Sequence, residues 1–286
     1  MTAAALALVL AAAVAHALWN FILKRTGGGI GFIWLFALLA TVIYGPIAFA
    51  FFWRARFDLG WLALGFIVLS ALIHTVYFLM LDRGYRHGDL SVVYPVARAS
   101  GPLLTVILAV LFLGERPGPL AIAGACTIII AAFYMSGIIG RLRAGTPLRG
   151  LTYALMTGCT IAAYTICDQR AVTYAAISPV LLHWGENLGR TLMLAPMALN
   201  DRPAVRKAWR LHKRALLAAA ILSPLAYILA LTAMTFTPVS YVAPAREISI
   251  VIGAWLGTQV LGETDARRRM IAATMMAIGM FGLAVG

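Results

Sequence analysis

The strongest constraint on this chain is a stretch that occurs twice. Tyr94-Pro95-Val96-Ala97-Arg98 leads through an apolar run to Leu113-Gly114-Glu115, and Val242-Ala243-Pro244-Ala245-Arg246 leads to Leu261-Gly262-Glu263. Arg98 and Arg246 lie 148 residues apart, as do Glu115 and Glu263, in a chain of 286. A match in register across half the chain is an internal duplication rather than a shared composition. Sixteen residues separate each Arg from its Glu, and apart from Glu247 none carries a formal charge. At about 1.5 Å of rise per residue, such a run covers most of a bilayer's hydrocarbon core. Each copy therefore reads as a transmembrane helix with an arginine in its first turns and a Gly-Glu turn beyond its end.

Apolar runs of this length recur from end to end. Ten spans are predicted at roughly 3–23, 31–53, 61–81, 91–113, 118–139, 150–170, 177–198, 215–235, 239–261 and 270–285. Hydrophobic residues make up 62% of the chain and charged residues 12%, against about 45–50% and 25% in a soluble domain. This implies a polytopic membrane protein with almost no soluble part. In hydrocarbon only helices and closed barrels satisfy every backbone group. The runs lack the short alternating pattern of barrel strands, so the fold class is all-α. With the duplication, ten helices fall into two repeats of five, residues 1–145 and 146–286. The prolines at Pro95 and Pro244 fit kinks or first-turn positions.

Charge placement supplies orientation. The formal charge is +13, but most bases sit between spans and no basic helix interleaves aromatics in the manner of a nucleic-acid tracker. The first, third, fifth, seventh and ninth connections carry sixteen basic residues, six of them in the long stretch from Asn200 to Arg214, whereas the alternate connections carry four. The positive-inside rule then predicts a cytoplasmic basic side and external termini. The bias inverts between the halves, as it must if each half has an odd number of helices, so the repeats are inverted.

Several spans hold polar residues that lipid would reject. His183, Glu186, Asn187 and Arg190, at offsets zero, three, four and seven, share one face of the seventh span. A mid-bilayer charge costs about 2.5–3.5 kcal/mol on insertion scales, so that face turns inward, lining a cavity or forming a Glu186–Arg190 seam. The first span presents His16, Trp19 and Asn20 at zero, three and four, and the sixth presents Tyr164 and Asp168. Tyr77 and Tyr227 occupy corresponding deep positions ahead of the duplicated stretches. Arg98 and Arg246 either bind a carboxylate or snorkel and pair with an acid such as Glu247. Glu115 and Glu263 read as turn-forming residues. Glu186 and Asp168 are the candidate proton-coupling acids. Gly253-x-x-x-Gly257 is a close-packing signal in the ninth span, and Gly27-Gly28-Gly29 is a loop signal.

Cys126, Cys159 and Cys167 form no Cys-x-x-Cys or Cys/His cluster, so neither a disulfide nor a zinc site is implied. There is no hydrolytic constellation, no His-Glu-x-x-His and no ATP-binding domain. The expectation is a non-enzyme without cofactor or metal. Residues 1–15 lack the basic start of a removable signal.

The His16-Ala17-Leu18-Trp19-Asn20 sequence in an alanine-rich first helix, the duplicated helices ending in Leu-Gly-Glu and the five-plus-five arrangement resemble the drug/metabolite transporter superfamily, in its two-repeat EamA type. The resemblance covers essentially the whole chain. It implies a ten-helix inner-membrane carrier whose central cavity is enclosed by both halves and which works by alternating access, often for export. It also implies cytoplasmic termini, opposite to the charge count, which is followed here. The family handles amino acids, other metabolites and cationic compounds. The expectation is an exporter of an amino acid or related zwitterion, contacted by His16, Trp19, Asn20, Tyr77, Arg98, Tyr164, Glu186, Asn187, Arg190, Tyr227 and Arg246. The alternatives are a proton-coupled organic-cation exporter and a membrane scaffold without transport. The partners implied are the substrate, a coupled proton and membrane lipids, with no nucleic acid and no obligate protein.

Overall fold

A computed structural model describes residues 1–26, 29–54, 60–87, 90–136, 148–249, 251–252 and 266–286. These form ten helices: α1 (Ala3–Thr26), α2 (Ile30–Arg54), α3 (Trp61–His87), α4 (Leu90–Phe112), α5 (Pro119–Ser136), α6 (Leu148–Thr173), α7 (Pro179–Asn200), α8 (Arg202–Met234), α9 (Val239–Ala245) and α10 (Ala266–Val285). Within the described residues five are long and apolar enough to cross a membrane, namely α1, α2, α3, α6 and α8. α7 spans 22 residues but falls outside that set, because a quarter-turn of its surface is given over to His183, Glu186, Asn187 and Arg190. Gly27-Gly28, Gly253, Gly257 and the Leu261-Gly262-Glu263 turn lie outside the described residues.

The packing obeys the duplication. α1 lies on α8, and its counterpart α6 lies on α3; α2 touches α8, and its counterpart α7 touches α3. α2 with α7, α4 with α9 and α5 with α10 are each packed against their own counterparts. Exchanging the halves maps these contacts onto one another, the relation expected of two inverted five-helix repeats. Both termini lie at one end of the bundle, where the Met1 ammonium donates to the Ala284 carbonyl at 3.0 Å. Two indoles tie α2 to α7 reciprocally: Trp34 Nε1 donates to the Thr191 carbonyl at 3.0 Å, and Trp184 Nε1 to the Thr41 carbonyl at 2.9 Å. α5 and α10 meet backbone to backbone. A Cβ at Gly124 would stand 2.5 Å from the Gly279 carbonyl oxygen, so only glycine permits this approach.

The basic stretch from Asn200 to Arg214, expected to be a connection, is instead helical. α8 begins at Arg202, and Asp201 caps it by accepting from Ala204 N at 3.1 Å, with Pro203 in the first turn. Alanines, arginines and lysine then sustain the helix until His212, whose φ of −128° bends the basic limb Arg202–Leu211 away from the membrane segment beyond it.

The first Gly-Glu turn has a structural task. Gly114, at φ +67°, turns the chain out of α4, and the Glu115 carboxylate accepts from Val239 N and Ser240 N, both at 2.9 Å. It therefore caps α9, the counterpart of the helix that precedes it, where the orphan amides and the dipole both favour a carboxylate. Glu115→Ala is expected to lower stability by about 1–3 kcal/mol, read as a fall in the thermal midpoint of detergent-solubilised protein, with Glu115→Gln losing less.

Candidate functional site

The polar faces of α3, α6, α7 and α8 converge inside the bundle. Asp168 is fully buried and Glu186 is 1% exposed, in a region where each carboxylate needs compensation to remain charged. On α7 the four-residue face forms one network. Asn187 Nδ2 lies 2.9 Å from His183 Nε2, and His183 Nδ1 lies 2.6 Å from Glu186 Oε2. Since the amide nitrogen can only donate, the imidazole proton is assigned to Nδ1 and points at Glu186. Arg190 Nη1 stands 3.3 Å from the other Glu186 oxygen, while its Nη2 donates to Asn187 Oδ1. Phe36 and Phe78 cover the guanidinium, 5.6 and 4.8 Å from its carbon. Glu186 and Arg190 are thus mutual partners.

Asp168 on α6 is held differently. Its Oδ2 accepts from the Tyr227 hydroxyl of α8 at 2.6 Å and stands 4.0 Å from His74 Nε2 of α3. Its Oδ1 accepts no hydrogen bond from the described residues, with Ser70 as a neighbour. His74 stacks on Tyr164, with centroids 4.0 Å apart and planes 26° apart. Its Nδ1 is 3.8 Å from Glu186, so one imidazole lies between the two buried acids. Tyr77 meets Tyr164 edge to face at 5.8 Å, and Tyr227 lies 6.1 Å from Tyr164. His74 is absent from the sequence-derived candidates, although Ser70, His74 and Tyr77 at offsets zero, four and seven mark a polar face of α3 by the rule that picked out α7.

The two duplicated arginines have unlike surroundings. Arg98, buried in the continuous α4, pairs with Glu247 at 3.0 Å and reaches Ser249 Oγ at 3.5 Å, so it is neutralised across the repeat boundary. The second copy is broken where the first is not. α9 stops at Ala245, Arg246 and Glu247 form a turn in which Glu247 N donates to the Pro244 carbonyl and Ser249 N to the Arg246 carbonyl, and the chain is helical again at Ile248. At that break the Arg246 guanidinium sits over the Tyr227 ring, 5.1 Å from its centroid. Three arginines and three acids therefore meet near the centre, and two of each are joined as close pairs. Arg246 and Asp168 instead both contact Tyr227, the arginine over its ring and the carboxylate at its hydroxyl, without forming a close pair with each other.

His16, Trp19 and Asn20 of α1 border the centre, His16 lying within electrostatic reach of Arg98 and Arg246. Trp19 Nε1 lies 3.2 Å from His16 Nδ1, Asn20 Nδ2 donates to the His16 carbonyl at 2.7 Å, and Trp19 stacks on Phe36 at 6.3 Å. They adjoin the network through Phe36, the ring that also covers Arg190.

The space enclosed by Arg98, Pro102, Thr105, Tyr164, Arg246, Glu247 and their neighbours is about 10 Å³, room for about one water. An open groove of about 470 Å³ lies between α2 and the basic limb of α8, lined by Leu35, Val205, Arg206, Trp209 and Arg210. The concentration of compensated charge, rather than the volume, makes the centre the candidate functional site. Among the described residues no group of three His, Cys, Asp or Glu is placed to hold a metal ion.

Comparison with known proteins agrees with this architecture. A solved structure, described only as "Crystal structure of protein", superposes with a TM-score of 0.76, covering 100% of this chain and 98% of its own at 18% identity, which shows the shared fold. A comparison with curated proteins gives no match. Residues 3–137 and 148–285 both match the EamA-like transporter family. The chain is a multi-pass membrane protein and a small-molecule transporter rather than an enzyme, and it belongs to the EamA-like transporter family.

Proposed function

We propose that this transporter exports a small zwitterion, an amino acid or a close relative, across the inner membrane by alternating access. The observation that carries the reading is the break in α9. Broken membrane helices form substrate sites because their freed backbone and adjoining side chains face a cavity instead of lipid. Here the break presents Arg246 to the face of Tyr227 while Asp168 accepts from the hydroxyl of the same residue. Opposite charges held apart match the carboxylate and ammonium ends of a dipolar ligand. Arg246 meets the carboxylate with its fork of donors, Asp168 meets the ammonium, and Tyr77 and Tyr164 form the wall. When substrate leaves, a proton takes the place of its ammonium on Asp168. The Glu186–Arg190 and Arg98–Glu247 pairs hold the helices in register. The arginine-rich end faces the cytoplasm, following the charge asymmetry of the connections.

One feature favours an organic cation instead. Tyr164, Tyr227, Tyr77 and His74 cluster beside Asp168, and aromatic faces next to a carboxylate recognise ammonium groups without needing Arg246. Thermal stabilisation of purified protein by a panel of amino acids and of hydrophobic cations separates the readings. Amino acids are expected to raise the unfolding midpoint, and Arg246→Gln to remove that response. Stabilisation by cations alone, surviving Arg246→Gln, selects the cation exporter.

A further inference from the structure

We propose that the basic limb of α8 and the start of α2 form a site for the phosphate of an anionic phospholipid, at the end of the bundle opposite the termini. The limb is fixed to the bundle. Val205 and Ala208 pack against the buried Phe32, Leu35 and Phe36 cluster, and a Cβ at Gly31 would stand 3.1 Å from Val205 N. The kink at His212 is braced by its ring against Phe32, at 6.4 Å. This docking leaves the cavity of about 470 Å³, with Leu35 and Val205 as an apolar floor and Arg206, Trp209 and Arg210 as its other walls. Arg206 and Arg210 are one helical turn apart, so both guanidiniums reach one anion. Their charge is uncompensated: Arg206, Lys207, Arg210, Lys213 and Arg214 have no ion-pair partner among the described residues. Asp201, the acid that precedes the limb, is engaged as the helix cap.

A phospholipid is the ligand that combines the required chemistries. Trp209 is 43% exposed and Leu211 63% exposed on the same limb, which suits the level where headgroups meet acyl chains, since indoles concentrate there and basic clusters attract anionic lipid. The phosphate lies between Arg206 and Arg210, and an acyl chain follows Leu35 and Val205 down α2. The site is separate from the polar centre and does not depend on which solute is carried.

The test places the full chain in nanodiscs and reads quenching of Trp209, as the difference between wild type and Trp209→Phe, by brominated phosphatidylglycerol or brominated phosphatidylcholine. The anionic lipid is expected to quench at the lower mole fraction. An arginine near an anionic surface contributes about 1 kcal/mol, about five-fold in partitioning. The Arg206→Gln/Arg210→Gln variant is therefore expected to lose about five- to twenty-five-fold of the preference. Arg54→Gln, at the other end of α2, leaves the preference intact. Equal quenching by the two lipids in the wild type overturns the site, and this arm requires no arginine variant to fold. A preference that survives Arg206→Gln/Arg210→Gln also overturns it, and relief of quenching by inorganic phosphate would assign the groove to a soluble anion instead of a lipid.

Discussion

Asp168→Asn is expected to abolish proton-driven accumulation while leaving exchange of substrate across the membrane measurable. The argument rests on what surrounds this carboxylate. Glu186 is bound by Arg190 and His183, so a change in its charge would strand a buried guanidinium. Asp168 has no arginine in ion-pair contact among the described residues. Around it stand Ser70 and His74 of α3, Tyr164 and Cys167 of α6, Glu186 of α7, Tyr227 of α8 and Arg246 beyond that ring. It is the acid whose charge can change with least disruption to a pair. One proton exchanged per substrate supplies about 1.4 kcal/mol per pH unit, a limit of about ten-fold accumulation. Asparagine keeps the bond from the Tyr227 hydroxyl but carries no proton, so the accumulation ratio falls to unity. Counterflow, which needs no net protonation, persists at reduced affinity. Proteoliposomes with an imposed pH gradient measure both on one preparation, and normal accumulation by well-folded Asp168→Asn would transfer the role to Glu186. His74→Gln, which removes the imidazole between the acids, is expected to slow the driven reaction more than counterflow.

Breaking the Arg98–Glu247 pair is expected to give the largest loss of stability. Both side chains are buried and joined at 3.0 Å between α4 and the break after α9. Either Arg98→Leu or Glu247→Leu leaves an unpaired charge in a nonpolar setting, costing about 3–5 kcal/mol. The double substitution removes both charges and is expected to recover much of that loss, giving a coupling energy well above that of distant sites. Thermal unfolding of the four proteins in one detergent measures the cycle. Additive losses would mean that the two residues do not stabilise each other.

The sequence disclosed the architecture because bilayer physics leaves few choices. Apolar length marks the helices, odd repeat size forces inversion, and an amphipathic face such as that of α7 must turn inward wherever it occurs. Pairing was less legible. Arg98 meets Glu247 from the other repeat, a contact created by the crossing of α4 and α9, and no local spacing encodes it. The α9 break is equally hidden, since Pro95 and Pro244 stand within one residue of matching sites and only the second copy stops before its arginine. His74 was legible in the Ser70, His74 and Tyr77 spacing, but that face carries no formal charge to set it apart as Glu186 and Arg190 do on α7. The limb at Arg202–Leu211 was obscured by its charge, which resembles a loop when judged by hydropathy, whereas Asp201 and the residues behind it are helix-forming.

The proposed zwitterion site of this alternating-access carrier is built from Arg246 and Asp168, which both contact Tyr227. Its most direct measurement is counterflow: proteoliposomes loaded with an unlabelled amino acid, challenged with trace labelled substrate at equal pH. The account predicts transient, saturable uptake that is lost in Arg246→Gln and competed by zwitterions but not by hydrophobic cations. Uptake that persists in well-folded Arg246→Gln and is competed only by cations would contradict it.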